Sequence, residues 1–205
     1  MAKNKLVVPF LKWVGGKRQL IPEIRKLLPK GVSSHPYYEP FIGGGALFFD
    51  LQPKCAIIND CNKELINAYR IIRDNPKELI EDLKKHKNTA EYFYEIRAID
   101  RQPIFYNLTN IERASRIIFL NKTCYNGLYR VNNAGEFNSP FGNYKNPNIV
   151  NEPVINAWQT LSCFGSRCLQ DLIQSPLWFL QRSMPKSQNV EGAYSLAPHT
   201  EDNAA

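Results

Sequence analysis

Apolar residues in the first sixty positions follow first a helical and then a strand-like spacing. Residues 17–28 place leucines and isoleucines on one helical face with Pro22 in the first turn, which predicts a helix. Residues 36–40 and 55–60 are short apolar runs typical of strands, and residues 45–51 between them predict a helix. The pattern therefore predicts a β–loop–α–β unit.

Polar residues that favour helix starts follow this unit. Asn62 and Asn75 each stand where an N-cap is expected, and Asn75 is followed by a proline at the first helical position. Thr109 with Glu112 forms the pattern of a capping box. We expect a helical region here, with helices after Asn62 and Asn75 and over residues 90–100 and 110–121.

The pattern changes again in the last third of the chain. Residues 124–147, which read CYNGLYRVNNAGEFNSPFGNYKNP, are rich in Asn, Gly and Tyr, with turn signals at 126–127 and 134–135. They predict a β-hairpin or a loop module. Residues 157–205 are rich in Ser, Gln and Pro and lack periodicity, so we expect little stable structure there.

A loop of three glycines, residues 43–45, lies between the first predicted strand and the helix after it. Glycines let the backbone turn sharply and let a ligand approach main-chain N–H groups. Asp60 ends the next strand about twenty residues after Glu39, where an acid can accept hydrogen bonds from ribose hydroxyls. The loop contains no Gly-Lys-Ser/Thr, which excludes a P-loop nucleotide site but leaves a plain turn or a nucleoside site open.

Charge and composition narrow the class of protein. Residues 1–150 contain 23 of the 26 Lys and Arg residues but 14 of the 19 Asp and Glu residues. This excess favours a polyanionic partner such as nucleic acid, although a basic surface without such a partner fits equally well. The five cysteines show no disulfide or metal spacing, and no membrane span or secretory signal is visible, so we expect a cytoplasmic protein with free thiols and no metal site.

The segment FLKWVGGK, residues 10–17, places Trp13 and Lys17 on either side of a Gly-Gly turn. An exposed Trp can stack on a purine and a Lys can pair with a carboxylate, but taken in isolation the segment favours a core Trp beside a surface Lys. Four ordered stretches, FLKWVGGK, YYEPFIGGGALFF, IINDCNKELI and the 124–147 segment, resemble the Dam-type DNA adenine methyltransferases over about residues 5–150.

The resemblance implies an α/β fold: a Rossmann-like domain that binds S-adenosylmethionine, with an inserted helical and hairpin subdomain that recognises DNA. It divides the chain into a cofactor-binding part at 1–62, a recognition subdomain at 63–150 and a divergent tail at 151–205. Trp13 and Lys17 would contact the cofactor, and Asp60 would hold the ribose hydroxyls. The other pocket residues it implies are Glu39, Phe41, Gly43 and Gly45.

For the DNA, the resemblance assigns roles to exposed residues of the 124–147 segment. Tyr125 would stack within the duplex, and Asn126 and Leu128 would lie near the recognition site. Arg130 would read guanine through its bidentate fork, and Lys145 would bind phosphate. The pattern is closest to family members that act on adenine in GATC of double-stranded DNA.

The family's catalytic motif, Asp-Pro-Pro-Tyr, occurs nowhere in the 205 residues. The nearest sequence is NSPF at 138–141, which lies inside the 124–147 segment, where a turn is the ordinary interpretation. We therefore expect a methyltransferase that is truncated and inactive alone. The alternatives are a non-catalytic DNA-binding remnant or one piece of a split enzyme completed by a C-terminal fragment. A nicotinamide-dependent enzyme would explain the glycines but not KWVGGK.

Overall fold

The computed structural model describes residues 3–158 and 161 as an α/β structure. Its strands and α-helices, in chain order, are α1 Ile21–Leu27, β1 Tyr37–Glu39, α2 Ala46–Leu51, β2 Ala56–Ile58, α3 Lys63–Asp74, α4 Pro76–Leu83, α5 Ala90–Ala98, α6 Asn110–Thr123 and α7 Glu152–Ala157. Short 3-10 helices cover Lys17–Leu20, Val32–Ser34, Ile99–Arg101, Pro103–Asn107 and Tyr125–Gly127. Among the described residues, none of the helices is both long and apolar enough to span a membrane.

The predicted β–loop–α–β unit is confirmed. Strands β1 and β2 are parallel, with Tyr37 opposite Ala56 and Glu39 opposite Ile58, and α2 makes the connection between them. Both strands are only three residues long, which is shorter than predicted. The carboxyl ends of the two strands lie side by side, so the residues that follow each strand meet at one edge of the sheet.

Two of the three predicted helix starts are confirmed by side-chain contacts. The Asn62 side chain accepts a hydrogen bond from the Leu65 amide at 3.0 Å, and Thr109 forms the full capping box. Asn75 precedes α4, but its side chain makes no capping bond. Its backbone amide donates to the Ile71 carbonyl, because Asn75 is both the C-cap of α3 and the N-cap of α4.

The main core is built mostly from the helices, with Ala56 and Ile58 from β2. The apolar faces of α3, α4 and α6 pack together, and α2 adds Phe48 and Phe49. Trp158, which follows α7, is 1% exposed and contacts the rings of Phe49 and Tyr69. The start of the segment predicted to be divergent and poorly structured is therefore helical and belongs to the core, while 162–205 lie outside the described residues.

The 124–147 segment forms a loop module with two isolated antiparallel bridges, Cys124 to Phe141 and Val131 to Phe137, and no continuous ladder of strands. Arginine side chains bind several of its backbone groups instead. Arg101 donates to the Phe137 carbonyl at 2.8 Å, and Arg97 donates to the Ser139 carbonyl at 3.2 Å. The predicted turn at 134–135 is present, with Gly135 at φ +81°.

The cysteines that the structure describes are free thiols: Cys55 and Cys61 are exposed and Cys124 is buried. Cys163 and Cys168 lie outside the described residues. Within the described part of the chain, no group of three His, Cys, Asp or Glu side chains is placed to hold a metal ion.

Candidate functional site

An open pocket of about 270 Å³ lies at the carboxyl edge of the two strands. Three separate stretches of sequence form it: the segment before α1, the loop between β1 and α2, and the residues after β2. Its lining comprises Trp13, Val14, Gly15, Gly16, Lys17, Glu39, Phe41, Ile42, Gly43, Gly44, Ala46, Leu47, Asp60 and Cys61. Six of the seven residues predicted to bind a cofactor are in this set, and Gly45 is not.

The glycine loop, residues 43–45, is held by hydrogen bonds to both backbone groups of its first residue. The Gly43 amide donates to the Asp60 carboxylate at 2.9 Å, and the buried Tyr69 hydroxyl donates to the Gly43 carbonyl at 2.9 Å. The other oxygen of Asp60 accepts from the Asn62 amide at 3.0 Å. Asp60 therefore lines the pocket and also ties the loop to the start of α3.

Gly45 lies behind the pocket wall, where it precedes the first turn of α2. Its backbone has φ +70°, and a Cβ there would lie 2.6 Å from Phe49 Cε2 and 2.8 Å from the Tyr69 hydroxyl. Only glycine fits this position, because any side chain would overlap two buried rings. The contribution of Gly45 to the pocket is thus to let the loop pack against the core.

Trp13 is partly buried, between the exposed and the core positions considered from the sequence. It stacks on Tyr129 with ring centroids 4.7 Å apart and planes inclined by 19°. Its edge lies against the glycine loop, where a Cβ on Gly43 would be 3.0 Å from Trp13 Cδ1. Trp13 is therefore a fixed part of the pocket wall. Tyr129 was not selected from the sequence, although its neighbours Leu128 and Arg130 were.

Two acidic side chains and one lysine give the pocket its polar character. Glu39 is 7% exposed and accepts a hydrogen bond from the Tyr37 hydroxyl at 2.7 Å. Burial raises the pKa of Glu39, while the Tyr37 hydrogen bond and the charge of Lys17 act in the opposite direction. The pocket thus offers carboxylate acceptors at Glu39 and Asp60 and a cationic donor at Lys17.

Asn121, on α6, connects the pocket to the 124–147 segment and was not selected from the sequence. Its side chain is 1% exposed and makes three hydrogen bonds: it accepts from the Lys12 amide at 2.9 Å and donates to the carbonyls of Lys12 and Gly127 at 2.7 and 3.0 Å. Gly127 approaches so closely that a Cβ would lie 2.4 Å from Lys12 Cδ. The residue before Trp13 and the start of the 124–147 segment are therefore fixed together.

The residues predicted to contact DNA are all exposed on the 124–147 segment. Tyr125 is 55% exposed and Leu128 39%, and the other members of this group are Asn126, Arg130 and Lys145. Asn126 and Gly127 both have positive φ, in a tight turn that follows α6 directly. These side chains face solvent from a backbone that buried groups hold in place.

Arg130 is held by Asn138, the first residue of NSPF, which is the stretch of this chain nearest to the family's catalytic motif. Its Nε donates to Asn138 Oδ1 at 2.8 Å, and its Nη2 lies 3.4 Å from the Asn138 carbonyl oxygen. Asn138 is not among the residues that line the pocket. Its observed role is to hold Arg130, which agrees with the interpretation of NSPF as a turn in this segment.

The sequence profile of one protein family, described as D12 class N6 adenine-specific DNA methyltransferase, matches residues 13–161. This range includes the pocket, the helical region and the 124–147 segment. The chain belongs to this family. Membership in the D12 class confirms the family resemblance found in the sequence.

Curated relatives support the assignment to the D12 class. The chain is 49% identical to the type II methyltransferase M1.LlaDCHI of Lactococcus lactis subsp. cremoris over 77% of its own length and 56% of that protein. It is 37% identical to the DNA adenine methylase of Serratia marcescens over 74% and 54%, and 36% identical to that of Escherichia coli K12 over 72% and 51%. This D12-class chain thus spans about half the length of the curated relatives it matches.

Replacing Gly45 by alanine tests the structural account of the loop. We expect Gly45→Ala to lower the free energy of unfolding by about 3 kcal/mol or more, because positive φ and overlap with Phe49 and Tyr69 act together. Gly135→Ala is the matched control: φ is also positive, but a Cβ meets nothing within 4 Å. It should cost about 1 kcal/mol. Urea unfolding measures both, and equal losses would contradict the packing role.

Proposed function

We propose that this chain binds S-adenosylmethionine in the pocket and double-stranded DNA through the 124–147 segment, as part of an adenine-N6 DNA methyltransferase. The observation that supports this most is that Trp13, Lys17 and Asp60, far apart in sequence, line one pocket. The same pocket is tied by Asn121 to the exposed segment that resembles the family's DNA-reading hairpin.

The polar groups of the pocket suit an adenosyl amino acid. Asp60 Oδ1 accepts from the Asn62 amide and the Cys61 thiol, whereas Oδ2 accepts from the Gly43 amide and has a second acceptor direction for a ribose hydroxyl. Lys17 can pair with the ligand's carboxylate, and residues 43–44 let the ligand approach the backbone closely. The bound cofactor supplies a methyl group on a positively charged sulfur; the residues of this chain bind and orient it.

The 124–147 segment suits the recognition of a duplex. Asn138 engages the Nε and Nη2 side of the Arg130 guanidinium, and we propose that the outer edge, formed by Nη1 and Nη2, pairs with guanine. Tyr125 is exposed enough to stack against a base, and Lys145 can meet phosphate. We propose GATC as the target, with adenine as the base that receives the methyl group.

The architecture we propose is a Rossmann-like domain with the helical and hairpin region at 63–150 inserted as a recognition subdomain. None of the 205 residues supplies the Asp-Pro-Pro-Tyr motif that would hold the adenine amino group. We therefore propose that the chain binds both ligands but does not transfer the methyl group without a second polypeptide that carries this motif.

Binding of S-adenosylmethionine tests the pocket assignment. Isothermal titration should detect binding to the unmodified chain, and Asp60→Ala should weaken it by at least about tenfold, since the loop loses its anchor and the ligand loses an acceptor. Glu81→Ala removes an exposed acid of α4 that pairs with Lys84 at the surface and should leave the affinity unchanged. Equal affinities for the two variants would place the ligand elsewhere.

DNA binding tests the roles of Arg130 and Lys145 separately. Arg130→Ala should weaken binding to a GATC duplex by about 1–3 kcal/mol while leaving a scrambled duplex nearly unaffected, because it removes a base contact. Lys145→Ala should weaken both duplexes alike, because phosphate contacts carry no sequence information. Fluorescence anisotropy with both duplexes at one salt concentration gives the comparison; a uniform loss for Arg130→Ala would show that it reads no base.

Transfer of labelled methyl to GATC DNA tests the missing chemical step. We expect no transfer from the 205-residue chain and transfer after a polypeptide with an Asp-Pro-Pro-Tyr motif is added. Labelled adenine from the chain alone would contradict this, and Asn138 would then be the first residue to replace. Failure to bind either ligand would contradict the proposed function as a whole, and binding without complementation would favour a non-catalytic DNA-binding remnant.

A further inference from the structure

Tyr129 lies between the pocket and the exposed face of the 124–147 segment. One ring face stacks on Trp13, and its edge meets Phe137 at 5.5 Å between centroids and 66° between planes. Phe137 is 2% exposed, and its amide and carbonyl are bound by Asp100 and Arg101. Tyr129 is thus packed against the pocket wall on one side and against the core of the segment on the other.

The contacts of Tyr129 reach the pocket through Trp13. The Trp13 ring stacks on Tyr129, and a Cβ on Gly44 would lie only 3.1 Å from Trp13 Cβ. Burial raises the pKa of Tyr129, as expected for a side chain packed between the pocket wall and the 124–147 segment. A shift of Tyr129 would therefore reach the glycine loop through Trp13.

The backbones on either side of this stack cannot slide apart. Asn121 binds Lys12, the residue before Trp13, and Gly127, two residues before Tyr129. With both backbones fixed, a change in the 124–147 segment reaches the pocket through the orientation of the two rings. Leu128 and Arg130, the neighbours of Tyr129, face solvent as candidate DNA contacts.

We propose that Tyr129 is a positioning residue that couples the two sites, so that an adenosyl ligand in the pocket and duplex DNA on the 124–147 segment strengthen each other's binding. The inference rests on the proposed function. DNA contacts at Leu128 and Arg130 fix the orientation of the Tyr129 ring, which holds Trp13 against the glycine loop. By linkage, the factor by which DNA raises the affinity for the adenosyl ligand equals the factor by which that ligand raises the affinity for DNA.

The test is a titration of the 205-residue chain with S-adenosylhomocysteine, without DNA and with a saturating GATC duplex. We expect DNA to raise the affinity about tenfold. Tyr129→Leu removes the planar ring and should reduce the ratio of the affinities measured with and without DNA to about one. The affinity for each ligand alone should change far less. Tyr129→Phe keeps the stack and should keep the ratio. Tyr106→Leu is the matched control, because Tyr106 is 84% exposed and outside the pocket lining.

The outcomes separate this inference from the function on which it rests. An unchanged ratio in Tyr129→Leu, or a ratio of one in the unmodified chain that binds both ligands, overturns the coupling and leaves the proposed function intact. Binding of neither ligand overturns the proposed function. If thermal unfolding shows that Tyr129→Leu does not fold, Tyr129→Met is used instead, because it keeps the apolar volume without a ring. A ratio of about one in Tyr129→Met supports the coupling, and a ratio equal to that of the unmodified chain refutes it.

Discussion

The three hydrogen bonds of Asn121 are the constraint on which the arrangement of the candidate site depends. A buried amide must satisfy both its oxygen and its nitrogen, and here it does so by binding both the segment before Trp13 and the turn at Gly127. Because Asn121 is 1% exposed, the loss of either partner would leave a buried polar group unsatisfied. The pocket wall and the 124–147 segment are consequently fixed to each other at this point.

The glycine loop is ordered before any ligand arrives. Asp60 binds its first amide, Tyr69 binds its first carbonyl, and Trp13 packs against its surface. A loop held in this way loses little conformational entropy on binding, so more of the contact energy remains for affinity. The cost is a backbone with positive φ at Gly43 and Gly45, a conformation that favours glycine at both positions.

The 124–147 segment shows how a region with few strand contacts can present side chains in fixed positions. Arg116 and Asp100 form a buried ion pair at 2.9 Å, and Asp100 also accepts the Phe137 amide. Arg97 and Arg101 bind further carbonyls of the segment. Buried charges are costly unless fully paired, so this network favours one arrangement of the segment. The exposed residues that we propose to read DNA therefore project from a supported backbone.

The sequence by itself determined the local elements and the residue types of the pocket. Periodicity and capping patterns predicted the β–loop–α–β unit and the starts of α3 and α6, because these signals act within a few residues. The ordered motifs selected six residues that line the pocket and five that are exposed on the 124–147 segment. Their proposed contacts with ligands remain predictions.

Only the tertiary structure decided which residues support these groups. Asn121, Tyr129 and the burial of Trp158 depend on partners more than a hundred positions away, such as Lys12, Trp13 and Val8. No local pattern marks an asparagine that will bind a distant backbone or a tyrosine that will stack on a distant ring. Gly45 likewise looks like its neighbours in sequence, and its separate role comes from the buried rings of Phe49 and Tyr69 that close around it.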